Sequence, residues 1–299
     1  MEFRLKVPGS TSNLGPGFDT LGLALALHNS LSIHTTSEPG LALSITGIGE
    51  ESLPRDESNL FYRSAAAAAD RAGKPLPGLV VGMENRIPLA RGLGSSSTAI
   101  VAGIVAAHTL CGESFSRSEM LDLAAELEGH PDNVSACLYG GLTICSLADG
   151  HVTCIRSLPP EGLRVVVAVP RFEVETEAAR KALPAQVSHL DATYNVNHAC
   201  LVTAALLSGD LEALKVGMSD RLHQPYRAPM VQGFDQVLAA ALSSGALGAC
   251  LSGAGPTMLA FAEGDTDQVE AAMVQAWEDA GIQSDAQSLE IDAQGVTVE

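Results

Sequence analysis

The sequence predicts an α+β protein of two domains, and three observations carry that expectation. At 299 residues the chain is long enough for two modest domains or one large one, since domains run to about 100 to 200 residues. Strand-like apolar stretches in the first half are separated by helices at irregular intervals. In the second half, strands near Ala249, Met258 and Leu289 interleave with helices as a second α+β layer rather than a doubly wound parallel sheet. The composition shifts at SLPPEG, Ser157 to Gly162, which draws the domains as residues 1–157 and 158–299.

Taken in order, FRLKVP near Phe3, LALSIT near Leu41, LVVGME near Leu79 and LTICS near Leu142 have the apolar content of strands. Ser58 is a candidate cap for the helix NLFYRSAAAAADRAG, which ends near Gly73, and TAIVAGIVAAHTL reads as a second helix. Ser116 with Glu119 makes a capping box for RSEMLDLAAELE. Gly129 ends that helix, and Pro131 suits the first position of the next. Past the boundary, LRVVVAVP from Leu163 is a buried-type strand, followed by helices around 191–207, 210–222, 230–243 and 267–280.

Four stretches carry more than structure. In PLARGLGSSSTA, Pro88 to Ala99, Gly92 and Gly94 let backbone amides approach a ligand closely, and Ser95, Ser96 and Ser97 are natural helix N-caps. The first turn of the helix that follows offers free N–H groups and the positive end of a dipole, a site for phosphate. No Gly-Lys-Ser/Thr closes the pattern and a third glycine is missing, so it is neither a P-loop nor a dinucleotide fingerprint. A plain loop whose serines cap a helix fits the same residues. PGSTSNLGPGFDTLGLAL, Pro8 to Leu25, sets the tight turn Gly15-Pro16-Gly17 between Asn13 and Asp19, and as an isolated feature would be a surface turn. ELEGHPDNV crowds Glu128, His130, Asp132 and Asn133 into one short connection. Such a cluster suits Mg2+ beside a phosphate loop, or equally a solvated loop that caps a helix. LSGAGPTMLAF, Leu251 to Phe261, is a second glycine-rich turn entering a strand.

The balance of charge narrows the partners. With 17 Lys and Arg against 35 Asp and Glu, the net charge is −18, and no basic tract follows a nucleic-acid backbone, so nucleic acid and anionic membrane are excluded. An anionic ligand has to be held by local devices: helix N-termini, single arginines, a divalent cation. The six cysteines are scattered without metal spacing and read as reduced residues of a cytoplasmic protein. No apolar signal core opens the chain and no run reaches the length of a membrane span.

Across nearly the whole chain, from Lys6 to about Phe261, these stretches in this order resemble the homoserine branch of the GHMP small-molecule kinase superfamily. GLGSS and SGAGPT carry the superfamily resemblance; NLGPGFD with GLAL and the later HPDN carry the branch. The resemblance implies an N-terminal domain like the second domain of ribosomal protein S5, a C-terminal ferredoxin-like domain, and ATP in the cleft between them. It further implies ATP-dependent phosphorylation of the side-chain hydroxyl of L-homoserine to O-phospho-L-homoserine, a step of threonine synthesis, with Mg2+ and, as a family habit, a homodimer.

Residue by residue, the resemblance places Arg91, Gly92, Leu93, Gly94, Ser95, Ser96 and Ser97 around the ATP phosphates and Asn59 near the base. It gives Ser96 and Glu128 to Mg2+, and Asn13, Asp19, His130, Asp132 and Asn133 to the amino-acid pocket. Thr176 and Arg180, four residues apart on one helix face, and Arg227 complete that pocket. A zwitterion makes sense of the set, because a carboxylate calls for guanidinium forks and an ammonium for an acid such as Asp19. Phosphoryl transfer asks little covalent chemistry of a protein, so the catalytic group of Glu128, Asp132, Asn133 and Thr176 acts by positioning, with Asp132 the candidate if a base exists. Two departures from the family pattern stand out: Ser12, where alanine is commoner, and Arg91, which either touches a phosphate or points to water. The rival readings are a GHMP kinase for another small alcohol, such as mevalonate or a sugar, and a non-catalytic nucleotide or amino-acid sensor on the same fold.

Overall fold

The first strand sets the layout by simple alternation. The computed structural model describes residues 1–112 and 114–299. In β1 (Glu2–Ser12), Phe3, Leu5 and Val7 are buried while Arg4 and Lys6 face water, so one face of the sheet takes the helices and the other stays open. β2 (Leu21–Thr36), β3 (Leu41–Gly47), β4 (Gly78–Asn85), β5 (Leu142–Ala148) and β6 (His151–Ser157) join it. The pairing runs β1-β2-β4-β3, with β5 bonded to the other half of β2 and then to β6; β3 is parallel to β4. The helices are α1 (Leu60–Arg71), α2 (Ser95–Leu110), α3 (Arg117–Glu128) and α4 (Asp132–Tyr139). Their apolar side chains form one core with the buried residues of β1 to β4.

The second half opens with β7 (Leu163–Pro170), α5 (Thr176–Lys181) and α6 (His189–Ser208). After them come the short α7 (Leu214–Gly217) and α8 (Gln224–Arg227), then α9 (Phe234–Ser243), β8 (Gly248–Leu251), β9 (Met258–Glu263), α10 (Asp267–Asp279) and β10 (Ser284–Leu289). The sheet order β10-β7-β9-β8 with antiparallel pairing is the ferredoxin-like arrangement, and the α+β expectation holds in both halves. The chain then turns back. Asp292 N–H donates to Ala24 O at 3.1 Å and Gly141 N–H to Asp292 O at 2.7 Å, and β11 (Thr297–Val298) pairs with β1. The first sheet therefore holds β1 to β6 with the returning β11, and the second holds β7 to β10.

Local corrections have local causes. Asn59, not Ser58, caps α1: its Oδ1 accepts from Phe61 N–H at 3.0 Å, while the Ser58 N–H is turned to Asp56 at 2.9 Å. Pro131 is the cap residue of α4 and not its first turn. The helix expected over 210–222 stops at Gly217, because Asp220 draws the N–H groups of Leu222, His223 and Gln224 to its own carboxylate at 2.9, 3.0 and 2.6 Å. The α2 serines do not cap: Gly94 occupies the cap position and the serines are the first turn itself.

A further apolar core joins the halves. Leu21, Leu23, Leu25 and Leu142 from the first sheet pack with Val165, Val167 and Phe261 from the second sheet and Val202 from α6. Each such side chain, fully buried, contributes roughly 1.5–3 kcal/mol. The loops at the end of that seam are held on a rigid floor.

Candidate active site

Those loops enclose a cavity of about 450 Å³ between the two halves, within the usual range for small-ligand sites. Every site residue singled out in the sequence lines it except Ser97, which is buried. One part of the wall is apolar, with Leu31, Leu53, Leu60, Met83 and Leu89; the other is polar and charged.

The glycine loop lies across the middle. Gly92 and Gly94 have φ of +73° and +71°, a region L-residues avoid. A Cβ on Gly92 would sit 2.1 Å from Ser252 O, and one on Gly94 2.2 Å from Ser10 Oγ. The close approach is to the protein's own second glycine-rich turn, where Ser252 Oγ donates to Gly92 O at 2.6 Å. No side chain caps α2, and among the described residues the N–H groups of Ser95, Ser96 and Ser97 have no partner, which leaves an anion site at the helix start. Ser96 and Ser97 instead donate their hydroxyls to Glu128 Oε1 at 2.6 and 2.9 Å.

Arg91 lines the cavity and is also held by the protein. Its Nε donates to Pro170 O at 3.1 Å, its Nη1 to Leu89 O at 3.1 Å, and Nη1 lies 3.0 Å from Glu173 Oε1. The guanidinium is a clasp from the loop to the second half, at the cavity lip. Asn59 is likewise occupied, its Nδ2 donating to Pro54 O at 2.7 Å while its Oδ1 caps α1. It shapes the apolar wall as much as it faces it.

The α3–α4 connection turns at Gly129, whose φ of +89° ends α3. Asp132 Oδ1 accepts from Asn133 N–H and pairs with His130 Nδ1, both at 2.7 Å. Burial works against the imidazolium, but the hydrogen bond and charge of Asp132, helped by Glu128 and Asp19, outweigh it and raise the His130 pKa. Burial also works against the Asp132 carboxylate, and His130, the Asn133 N–H and the Ser12 hydroxyl outweigh it, so its pKa falls. Both shifts favour the charged forms of the pair, and the lowered pKa makes Asp132 a weaker proton acceptor than a free carboxylate. Asn133 Nδ2 donates to Ser10 Oγ at 3.0 Å, which holds its carboxamide against the floor.

At the charged end, Arg180 and Asp19 form a bidentate pair with both bonds at 2.9 Å. Asp19 is itself set by Asn13, whose Oδ1 accepts the Asp19 N–H at 3.0 Å and whose Nδ2 donates to Gly253 O at 3.0 Å. Both are in the left-handed region, at φ +68° for Asn13 and +52° for Asp19. Arg227 is only 3% exposed; burial and the Arg180 charge lower its pKa. Thr176 begins α5 one turn before Arg180, exposed at the mouth. Sequence reasoning missed Phe18, over whose ring Arg180 and Arg227 lie at 5.5 and 5.2 Å, and His223, stacked against it at 5.3 Å. The one available signal was the four-residue step from His223 to Arg227.

Among the described residues no group of three or more His, Cys, Asp or Glu side chains could hold a metal ion. A single carboxylate with hydroxyl neighbours beside an anion site is the donor set of an ion shared with nucleotide oxygens.

Family models match twice, "GHMP kinases N terminal domain" over residues 59–141 and "GHMP kinases C terminal" over 202–279. The chain is 44% identical to a homoserine kinase of a Synechococcus strain over 100% of this chain and 98% of that one. A homoserine kinase of Moorella thermoacetica is also 44% identical, with 95% and 96% covered. Among solved structures, a homoserine kinase from Cytophaga hutchinsonii superposes with a TM-score of 0.89 at 29% identity, over 100% of this chain and 97% of that one. A galactokinase from Lactococcus lactis does so with a TM-score of 0.75 at 16% identity, 99% and 95% covered, a likeness of fold alone.

Proposed function

This chain belongs to the GHMP kinase family, and from that premise we propose that it transfers the γ-phosphoryl group of ATP to the side-chain hydroxyl of L-homoserine, giving O-phospho-L-homoserine and ADP. The observation that carries the substrate is the Asp19–Arg180 pair, with the buried Arg227 beside it, in the same cavity as the glycine loop. Without ligand, acid and guanidinium satisfy each other. A zwitterion inserted between them offers its ammonium to Asp19 and its carboxylate to Arg180 and Arg227, so the acid and Arg180 each exchange one charged partner for another.

The ATP phosphates lie on the free amides of Ser95, Ser96 and Ser97, and the base lies against the apolar wall near Asn59. Ser96 and Glu128 would hold Mg2+, which when bound neutralises charge on the transferring phosphoryl group. Asn133 aligns the substrate hydroxyl, and the lowered pKa of Asp132 supports transfer without a dedicated base. Among the described residues no helix is long and apolar enough to cross a membrane. We place the enzyme in the cytoplasm because its substrates are metabolites.

Coupled ADP release tests the reading, with ATP and Mg2+ and a panel of L-homoserine, L-serine, L-threonine, mevalonate and galactose. Preferential turnover of L-homoserine is expected. Preference for mevalonate or galactose would refute the pocket assignment and leave the family standing.

A further inference from the structure

Arg227 is gripped from behind. Its Nη1 donates to Gly253 O at 3.0 Å and lies 3.2 Å from Nδ1 of His223, and its Nε donates to Ala179 O at 3.4 Å. Among the described residues nothing accepts from Nη2. His223 is fully buried, at 0% exposure, and its Nε2 lies 2.7 Å from Gly15 O. A carbonyl only accepts, so Nε2 carries the proton; a guanidinium only donates, so Nδ1 is the bare acceptor. The two partners fix a single neutral tautomer.

We propose that His223 is a positioning residue for the amino-acid substrate: through Nδ1 it orients the Arg227 fork, and through Nε2 it fixes the Gly15-Pro16-Gly17 turn that carries Phe18 and Asp19. The inference rests on reading the cavity as an amino-acid site. Asp19 and Arg227, assigned to the two opposite charges of the substrate, come from different halves of the molecule. His223 bonds to the element behind each, and its ring, stacked on Phe18, fills the space between. A pocket for a small zwitterion has to hold those charges at a set separation, and one rigid ring with two committed nitrogens does so more tightly than two independent contacts. Asp220 supports the ring in turn, accepting from the His223 N–H at 3.0 Å at the start of α8.

Three variants separate the two bonds. His223→Gln keeps a donor near the Nε2 position, His223→Asn keeps an acceptor near the Nδ1 position, and His223→Ala keeps neither. Steady-state kinetics of the wild type come first, since absence of L-homoserine turnover there sinks the functional reading whatever His223 does. Given turnover, the KM for L-homoserine is expected to rise about tenfold or more in His223→Ala, the loss of a hydrogen bond to a charged group, with the KM for ATP unchanged. The Asn and Gln variants each recover part of the loss, and because they fill similar space they keep the test open should the alanine variant not fold. An L-homoserine KM equal to wild type in both Asn and Gln variants, or a parallel rise in the KM of both substrates, overturns the proposal.

Discussion

Glu128 shows how much one side chain can be asked to do. Its Oε1 already holds Ser96 and Ser97, so a glutamine keeps those hydrogen bonds through its carbonyl oxygen and loses only the charge. Glu128→Gln is therefore expected to fold normally, to need more Mg2+ for half-maximal rate, and to lose on the order of a hundredfold in kcat, comparable with removing one electrostatic contact to the transition state. A Mg2+ titration at fixed ATP checks this; an unchanged Mg2+ requirement would remove Glu128 from the metal site. The His130–Asp132 pair makes a prediction of a different kind. His130 has a raised pKa, so the stability it adds is complete below its ordinary value of 6.5 and is lost as the pH rises through the raised value. Asp132 has a lowered pKa, so its share is complete above 3.8 and is lost as the pH falls through the lowered value. Both act fully between 3.8 and 6.5, so the Tm gap between wild type and His130→Asn is widest there and narrows in alkaline buffer. A gap that widens with pH would mean the histidine is neutral in the pair. Sequence alone reached Glu128, His130 and Asp132 because they sit in one short connection. It did not reach Phe18 and His223, which meet only after the halves close.

At the scale of elements, the glycine loop is the clearest case of sequence dictating geometry. Gly94 needs its positive φ, and its missing Cβ is the room in which Ser10 Oγ lies. Gly94→Ala is expected to destabilise the fold by about 2 kcal/mol from left-handed strain alone, more if β1 shifts to relieve the clash, and to weaken ATP binding because the first turn of α2 moves with it. Denaturant unfolding and calorimetric titration with ATP read the two effects separately. A variant with wild-type stability would show that the loop relaxes freely, which its bond from Ser252 to Gly92 O argues against. Elements with a strong local signal were legible: the Ser116–Glu119 capping box forms as written, and the apolar run LRVVVAVP is the buried β7. The long β2 was not, because its first half is buried on both faces and shows no alternation. β11, only two residues, owes its existence to the partner strand and has no local signature. The helix expected over 210–222 failed because one aspartate competed for the backbone.

The whole molecule sets the field in which the nucleotide arrives. Around the cavity, Arg91, Arg180 and Arg227, with His130 whose pKa is raised, face Glu173, Asp19, Glu128 and Asp132, so the local charges largely offset one another. The remaining surface does not cancel: the chain carries −18 overall. A nucleotide triphosphate is thus repelled at long range and captured only at short range, by amides and by any cation it brings. Screening length decides how much of that repulsion is felt, since it falls from about 30 Å at 0.01 M salt to about 10 Å at 0.1 M. Raising the ionic strength across that interval, with Mg2+ held saturating, is expected to lower the KM for ATP a few-fold, the reverse of an anion site on a basic protein. L-homoserine has no net charge at neutral pH, so its KM stays level and serves as the internal control. If the KM for ATP rises with salt instead, the guanidinium groups at the cavity reach further than the acidic surface does, and Arg91 in its clasp to the second half becomes the first side chain to replace.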